Sequence, residues 1–227
     1  MVPGPLRVWE SLLRTGSRTD LRFGATCPRR PTLRTVSTSP SIRGGRSDDI
    51  ARCREIDLAT QQQFDAAGHP EFLTAGVIPD GAAERAVETG RILVAELDGH
   101  VEGWVFLTRS GDELCIGQIA VHPRCQRRGV GTALLNAVVA VARRNGEQSI
   151  VLSTQTDVAW NRPWYKRLGF EVVPLDQWTA DMVVIAEEQN EVGLDWDTRV
   201  HMRMRLTGSG HIKASGLCAD HRPVPGS

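Results

Sequence analysis

The residues best equipped for chemistry lie between Ile116 and Leu135, in the run IGQIAVHPRCQRRGVGTALL. An apolar stretch ends at Val121, and a basic turn follows with Gln126, Arg127, Arg128, Gly129, Val130 and Gly131. A helix-forming pattern begins at once, with apolar positions at Ala133, Leu134, Ala137, Val138 and Val141. Glycines let a backbone turn tightly and come close to a ligand. The first turn of a helix has N–H groups without intrahelical partners, and its dipole is positive at that end. With two arginines beside it, this arrangement suits a phosphate or pyrophosphate.

Two better-known phosphate patterns fit poorly. A P-loop needs a lysine before its Ser/Thr, and Thr132 follows Gly131 directly. A dinucleotide fingerprint needs a third glycine where Leu134 stands, and an acidic residue further on that is missing. Taken alone, the stretch also fits a plain strand-turn-helix whose glycines only shape the turn.

A second motif lies downstream. Val121-His122-Pro123 with Gln126 to Gly131 resembles the acetyl-CoA motif of the Gcn5-related N-acetyltransferase (GNAT) superfamily. Trp160-Asn161-Arg162-Pro163-Trp164-Tyr165-Lys166-Arg167-Leu168-Gly169-Phe170 resembles the tyrosine helix of the same superfamily. The resemblance covers residues 50 to 206, and is greatest to small bacterial members of unassigned substrate. It implies an α/β (α+β) fold with a mixed, twisted central sheet, helices on both faces, and a splayed strand pair that admits acetyl-CoA. Ile119, Ala120 and Val121 would then bond the pantetheine arm through their backbones. Gln126 marks the motif, and Arg127, Arg128, Gly129, Val130, Gly131 and Thr132 would hold the pyrophosphate. Tyr165 would protonate the departing thiolate, and Asn161 would hold the pantetheine or a water. Gln118 stands near the position of a carboxylate base in several members, and an amide cannot serve as one. Asp65, Glu71 or another carboxylate would have to act through water, or the amine would arrive uncharged.

The 227 residues are 41% hydrophobic and 24% charged, without an 18-residue apolar run, which describes a soluble globular protein rather than a membrane one, and cysteines without a pairing pattern place it in the cytoplasm. Net charge is zero, but residues 1–46 hold nine arginines against Glu10 and Asp20. That segment alone has the charge for nucleic-acid contact. Its composition reads as a disordered basic extension over 1–48, with a targeting presequence as another reading. The N-acetyltransferase domain is expected over 49–206 and a flexible tail over 207–227. Cys27, Cys53, Cys115, Cys125 and Cys218 lack C-x-x-C spacing and read as reduced thiols. Cys125, among Arg124, Arg127 and Arg128, is a small turn residue or a reactive thiol. The histidines form no metal motif, so no metal is expected.

The elements that must position these residues follow from periodicity. Ile50 to Glu55 reads as a first strand, with Asp57 capping a helix to Ala66. A helix is expected from Asp80 to Gly90, and a hairpin from Ile92–Leu97 and Val101–Leu107 about Asp98-Gly99-His100. A strand over Leu114–Val121 leads into the glycine turn and its helix. A strand over Ile150–Ser153, the Trp160–Leu168 helix, extended chain over Phe170–Val173 and a helix from Met182 to Asn190 follow. Last, Val200 to Leu206 alternates, with His201, Arg203 and Arg205 turned to water or the acceptor entrance. Phe64 and Phe72 are candidates for the acceptor wall. The function expected is acetyl transfer from acetyl-CoA to a primary amine on a small molecule or peptide, by a monomer or homodimer. An acyl-CoA-sensing module without turnover, and nucleic-acid binding through the basic extension, are the other readings.

Overall fold

Strands whose residues are apolar on both sides must be covered on both faces. The computed structural model, which describes residues 39–74 and 78–206, meets that demand with seven strands in one sheet. The order along the chain is β1 (Ser41–Gly44), α1 (Ile50–Asp65), α2 (Glu71–Thr74), α3 (Ala82–Glu88), β2 (Ile92–Leu97), β3 (His100–Ser110) and β4 (Glu113–Val121). It continues with α4 (Val130–Arg144), β5 (Ser149–Gln155), α5 (Asn161–Arg167), β6 (Glu171–Val172), α6 (Ala180–Glu191) and β7 (Arg199–Arg205). Spatially the strands run β1-β2-β3-β4-β5-β7-β6. Every neighbouring pair is antiparallel except β4 and β5, which the α4 crossover makes parallel.

Alternate residues enter different cores. Leu93, Ala95, Val105 and Leu107 pack with Val130, Leu134, Leu135 and Val138 of α4. Ile92, Val94, Trp104 and Phe106 face the other way, onto Ile50, Cys53 and Ile56 of α1 and Ala82, Ala83 and Ala86 of α3. A smaller cluster joins Cys115, Val151 and Val173 to Met182 of α6. The expected α/β sheet with helices on both faces is therefore present.

Two expectations from sequence are corrected. Ile50 to Glu55 is not a strand but the start of α1, whose buried residues are Ile50, Cys53, Ile56, Asp57 and Gln61. That spacing is helical, but Asp57 and Gln61 break its apolar pattern, and Asp57 lies inside the helix rather than capping it. The expected extension over 1–48 also runs too far, because Ser41–Gly44 pairs with β2 from Ser41↔Glu96 to Gly44↔Leu93. Arg43 ties this strand down through Asp49 at 2.6 and 2.9 Å and Glu96 at 2.8 Å, and it holds the Asp49 carboxyl below the usual range. Residues 1–38 and the tail expected over 207–227 lie outside the described residues.

A chain beginning at Ser47 would lack β1 and leave Asp49, 9% exposed, without its guanidinium partner. Losing charge-assisted hydrogen bonds of this kind costs about 1–3 kcal/mol. Relative to a chain beginning at Ser39, its thermal midpoint is expected to fall by ~2–12 °C, at about 2–4 °C per kcal/mol for a domain of this size. Equal midpoints would show that β1 adds nothing to the domain.

Candidate active site

The site begins with one extra residue in β4. Phe106 stands opposite Gln118 and Leu107 opposite Ile116, which leaves Gly117 unopposed as a bulge. A side chain there would come within 2.9 Å of the Phe106 ring, so the close approach calls for glycine. The bulge reverses the alternation of the strand. Leu114 and Ile116 belong to the α4 side, whereas Ala120 belongs to the α1 side. Gln118 is thereby turned toward α1.

At the same point β4 leaves β5. The parallel pairing is confined to Leu114↔Ile150, Cys115↔Val151 and Ile116↔Leu152. Beyond it β5 stays paired with β7 as far as Gln155↔Arg199, so a wedge opens between the strands. The His122 N–H reaches across to Glu102 O at 2.9 Å, and strand alternation then points the backbone groups of Ile119 and Val121 into the wedge. Ala120, opposite Trp104, is turned to β3 instead, which separates it from the two neighbours expected to act with it.

A cavity of about 150 Å³ occupies the wedge, lined among others by Asp57, Phe64, Phe72, Asn161, Tyr165 and Arg199. Asp57 is 1% exposed. Its Oδ1 accepts from the Gln118 Nε2 at 2.7 Å, while Oδ2 is buried with no partner. Burial pushes its carboxyl up to about 7, against the pull of the Gln118 amide. Sequence reading missed this residue, because a lone aspartate near a helix start reads first as a cap. The uncommon signal was Asp57 and Gln61 standing four apart on the face that carries Ile50 and Cys53.

Tyr165 of α5 is buried, with the Trp164 ring 4.8 Å and the Phe170 ring 5.7 Å away. Burial pushes its phenol well above the usual value, and the positive charge of Arg199 opposes that shift. Asn161, one turn earlier, donates to the Gln155 Oε1 at 2.8 Å, which ties α5 to the end of β5. The structure thus brings Tyr165 and Asn161 to the same cavity as Asp57.

The basic turn lies at the β4 end of this opening. Gly129, with φ of 80°, is in the left-handed region that glycine adopts without strain, and it caps α4. Val130, Gly131 and Thr132 are the first three helical residues, and the first intrahelical reach to Gly129 O comes from the Ala133 N–H. Their own N–H groups therefore face outward. A side chain at Gly131 would meet the Trp164 ring at 3.2 Å, so the helix start and the Tyr165 helix are in near contact. Gln126 bonds Gln63 of α1 at 2.7 Å and so fixes the turn, while Arg128 reaches Asp98 at 3.2 Å and Arg127 is exposed.

Other expected residues fall elsewhere. Phe64 and Phe72 do line the cavity, with ring centres 4.7 Å apart. Asp65 is exposed and does not line it, and Glu71 is bound by the His69 Nδ1 at 3.0 Å. Cys125 is buried in the α4 core, the placement of a small turn residue. His201 does not face water. It is 3% exposed, its ring lies 4.6 Å from that of Trp178, and burial lowers it to about 4. Both faces of β7 are covered there, which simple alternation could not reveal. No His, Cys, Asp and Glu cluster fit for a metal occurs among the described residues, and none of their helices is long and apolar enough to cross a membrane.

A splayed mixed sheet with a glycine turn at the mouth of its cleft defines an acyltransferase class of fold. Residues 54–170 match the acetyltransferase (GNAT) family, and the chain belongs to that family. Mycothiol acetyltransferase from Clavibacter sepedonicus is 28% identical over 113 residues, which is 48% of this chain and 37% of that protein. The enzyme of the same name from Clavibacter michiganensis subsp. michiganensis is 29% identical over an equal span, so the match covers little more than a third of either relative. Among solved structures, N-acetylglutamate synthase from Neisseria gonorrhoeae, complexed with coenzyme A and N-acetyl-glutamate, aligns with a TM-score of 0.55 at 20% identity, over 74% of this chain and 35% of its own. PaiA N-acetyltransferase from Thermoplasma acidophilum, in complex with coenzyme A, aligns at 0.54 and 12% identity, over 74% of this chain and 99% of its own. At such identities these structures share the fold.

The Asp57 environment sets a pH-dependent stability. Its folded value, about 7, lies above the ordinary carboxylate value, so its contribution is complete in acid and is lost as pH rises from ~4 through 7. Asp57→Asn keeps an oxygen for the Gln118 amide and removes the charge. The variant is expected to melt several degrees above the unsubstituted protein at pH 8, with a much smaller difference at pH 5. A difference that does not change with pH would show that Asp57 does not titrate in this range.

Proposed function

We propose that the protein is an acetyl-CoA-dependent N-acetyltransferase that moves an acetyl group to a primary amine by direct transfer in a ternary complex. The observation that carries this reading is the wedge between β4 and β5, where a buried carboxyl with an unpartnered oxygen and a buried tyrosine line one cavity. Acetyl-CoA supplies an acetyl group activated as a thioester, with a thiol of reference pKa ~8.5 as its leaving group. The residues present fit it. Ile119 and Val121 would bond the pantetheine amides in place of a neighbouring strand, since their backbone groups point into the opening. The outward N–H groups of Val130, Gly131 and Thr132, with Arg127, Arg128 and Gly129 before them, suit the pyrophosphate. Asn161, held by Gln155, would orient the arm near α5.

An amine attacks only when uncharged, and a carboxylate that titrates near neutral pH is matched to take its proton. Asp57 Oδ2 accepts the proton that the amine nitrogen loses as its new bond forms. Gln118, fixed on Oδ1 by the bulge, is a positioning residue. Tyr165 donates a hydrogen bond and then a proton to the departing sulfur, and exchange with solvent restores both groups. Because burial keeps the Tyr165 phenol protonated, the pH dependence on the acid side belongs to Asp57. A module that only senses acyl-CoA has no use for a buried aspartate that weakens the fold once ionised. Direct transfer accounts for it, and needs no acyl-cysteine.

The test is mass-detected acetylation of a panel of amines by the purified protein with acetyl-CoA, followed by single-turnover kinetics on the best acceptor. Tyr165→Phe is expected to lower the chemical rate by about 10²-fold, the scale of a positioned acid, with acetyl-CoA affinity little changed. Asp57→Asn is expected to remove the rise in rate through pH 7. Chemistry at the original rate in folded Tyr165→Phe would eliminate the acid role, and a retained rise through pH 7 in Asp57→Asn would eliminate the base.

A further inference from the structure

The cavity holds a second group with unmet hydrogen bonds. Arg199 opens β7 opposite Gln155, and its Nε and Nη1 are sealed from solvent with no hydrogen-bond partner. Among the described residues with an orphaned buried side-chain atom, only Asp57 and Arg199 line this cavity. The guanidinium carbon lies over two rings, 6.0 Å from the Phe72 ring centre and 5.9 Å from that of Trp196. Ring faces attract the cation without accepting its N–H bonds, so the Nε and Nη1 groups are still to be satisfied. Glu71, the carboxylate whose charge supports it, is engaged by His69. Burial draws the Arg199 guanidinium down to about 10, so it remains a cation at neutral pH.

Two other partly buried guanidinium groups show what a partner carboxylate looks like in this protein. Arg203 makes a fork to Glu113 at 2.7 and 2.8 Å, and Arg109 reaches Glu147 at 2.7 Å. An uncompensated buried charge is costly to stability, and such groups are commonly completed by a ligand. The geometry points to an acceptor that carries a carboxylate as well as its amine, the carboxylate seated on Arg199 and the amine directed to Asp57, as in an amino acid. A planar carboxylate matches the guanidinium edge, and a cavity of about 150 Å³ admits a small acceptor only. Phe64, Phe72 and Leu194 add apolar wall beside the polar Thr60, Ser153, Thr154 and Gln189. This inference rests on the acetyl-transfer reading for its amine half. Its carboxylate half stands on Arg199 alone.

The experiment compares amines that differ only in the carboxylate: L-leucine with L-leucinamide, L-phenylalanine with L-phenylalaninamide, and β-alanine with its amide, with 2-aminoethyl phosphate as a different anion. The acid of each accepted pair is expected to be preferred by ten-fold or more in kcat/KM. Arg199→Gln is expected to erase that preference by raising KM for the acids but not for the amides, with acetyl-CoA binding retained, and Arg199→Lys is expected to restore part of it. Equal use of acid and amide, an equal loss for both in folded Arg199→Gln, or a preference for 2-aminoethyl phosphate would overturn the proposal. Thermal stabilisation by the same acids and their N-acetyl derivatives, measured without turnover, separates the two readings. Stabilisation that is lost in Arg199→Gln, with no acetylation of any amine, would support the carboxylate site and sink the transferase. Acetylation that favours amines without a carboxylate would do the reverse.

Discussion

The contact on which the rest of the site depends is the one between Gly117 and the Phe106 ring. Because no side chain fits there, β4 can carry an extra residue against β3 without pushing the strands apart. Two consequences follow from that one residue. Gln118 changes face and meets Asp57, and β4 parts from β5 just after Ile116. Backbone groups that would have joined a continuous sheet are left to a ligand, since a buried N–H or C=O without a partner is costly. The cleft and the Gln118–Asp57 contact therefore have a common origin in the bulge.

Around the cleft the protein is thorough in pairing its charges. Glu102 accepts from Arg52 at 3.0 Å and from Arg124, and Glu113 takes Arg203 and Ser149 together. These links join α1, the turn after β4 and the ends of β4, β5 and β7, so the walls of the opening are braced on several sides. Isolated surface pairs contribute little, whereas partly buried networks such as these fix geometry. Against that background an unpartnered aspartate oxygen and an unpartnered guanidinium edge, both inside the cleft, stand out as groups kept for a ligand.

Much of this was legible in the sequence, and the failures fall at particular residues. The glycine turn, the helix after it and the Asp98-Gly99 hairpin were readable because their signals are local: positive φ at Asp98 and Gly99, apolar spacing of 3.6, a basic run at a helix start. Tyr165 was found through a motif. Helix α1 was misread because its buried face contains Asp57 and Gln61, and polar residues turned inward erase the periodicity on which recognition depends. β1 was absorbed into a basic, glycine-containing stretch whose ordering comes from Arg43 reaching Asp49 and Glu96, the latter 53 residues further along. His201 was placed by alternation alone, which cannot tell a covered face from an open one, and Arg199, just before the alternating run, carried no signal at all. The residues that misled the reading at α1, Asp57 and Gln61, are ones that line the cavity, as expected where function overrides local preference.

The overall charge of the chain and the charges inside the cleft favour different acceptors. Outside residues 1–46 acidic groups outnumber basic ones, which on its own would favour a cationic acceptor. Inside the cleft, however, the counterions of most acidic groups are already present, and the residual field is that of Arg199 and Asp57. The two side chains are opposite in sign, yet each keeps buried atoms without a hydrogen bond, so they do not satisfy one another across the cavity. Held apart in a low-dielectric space, each weakens the empty protein, and a ligand with complementary groups at both ends relieves the two costs at once. Such a ligand stabilises the folded chain by mass action in proportion to its affinity. A site built this way discriminates by penalty: an amine lacking an anionic end would leave the Arg199 edge desolvated and unbonded, and rejection on those terms is stronger than any a snug apolar wall provides.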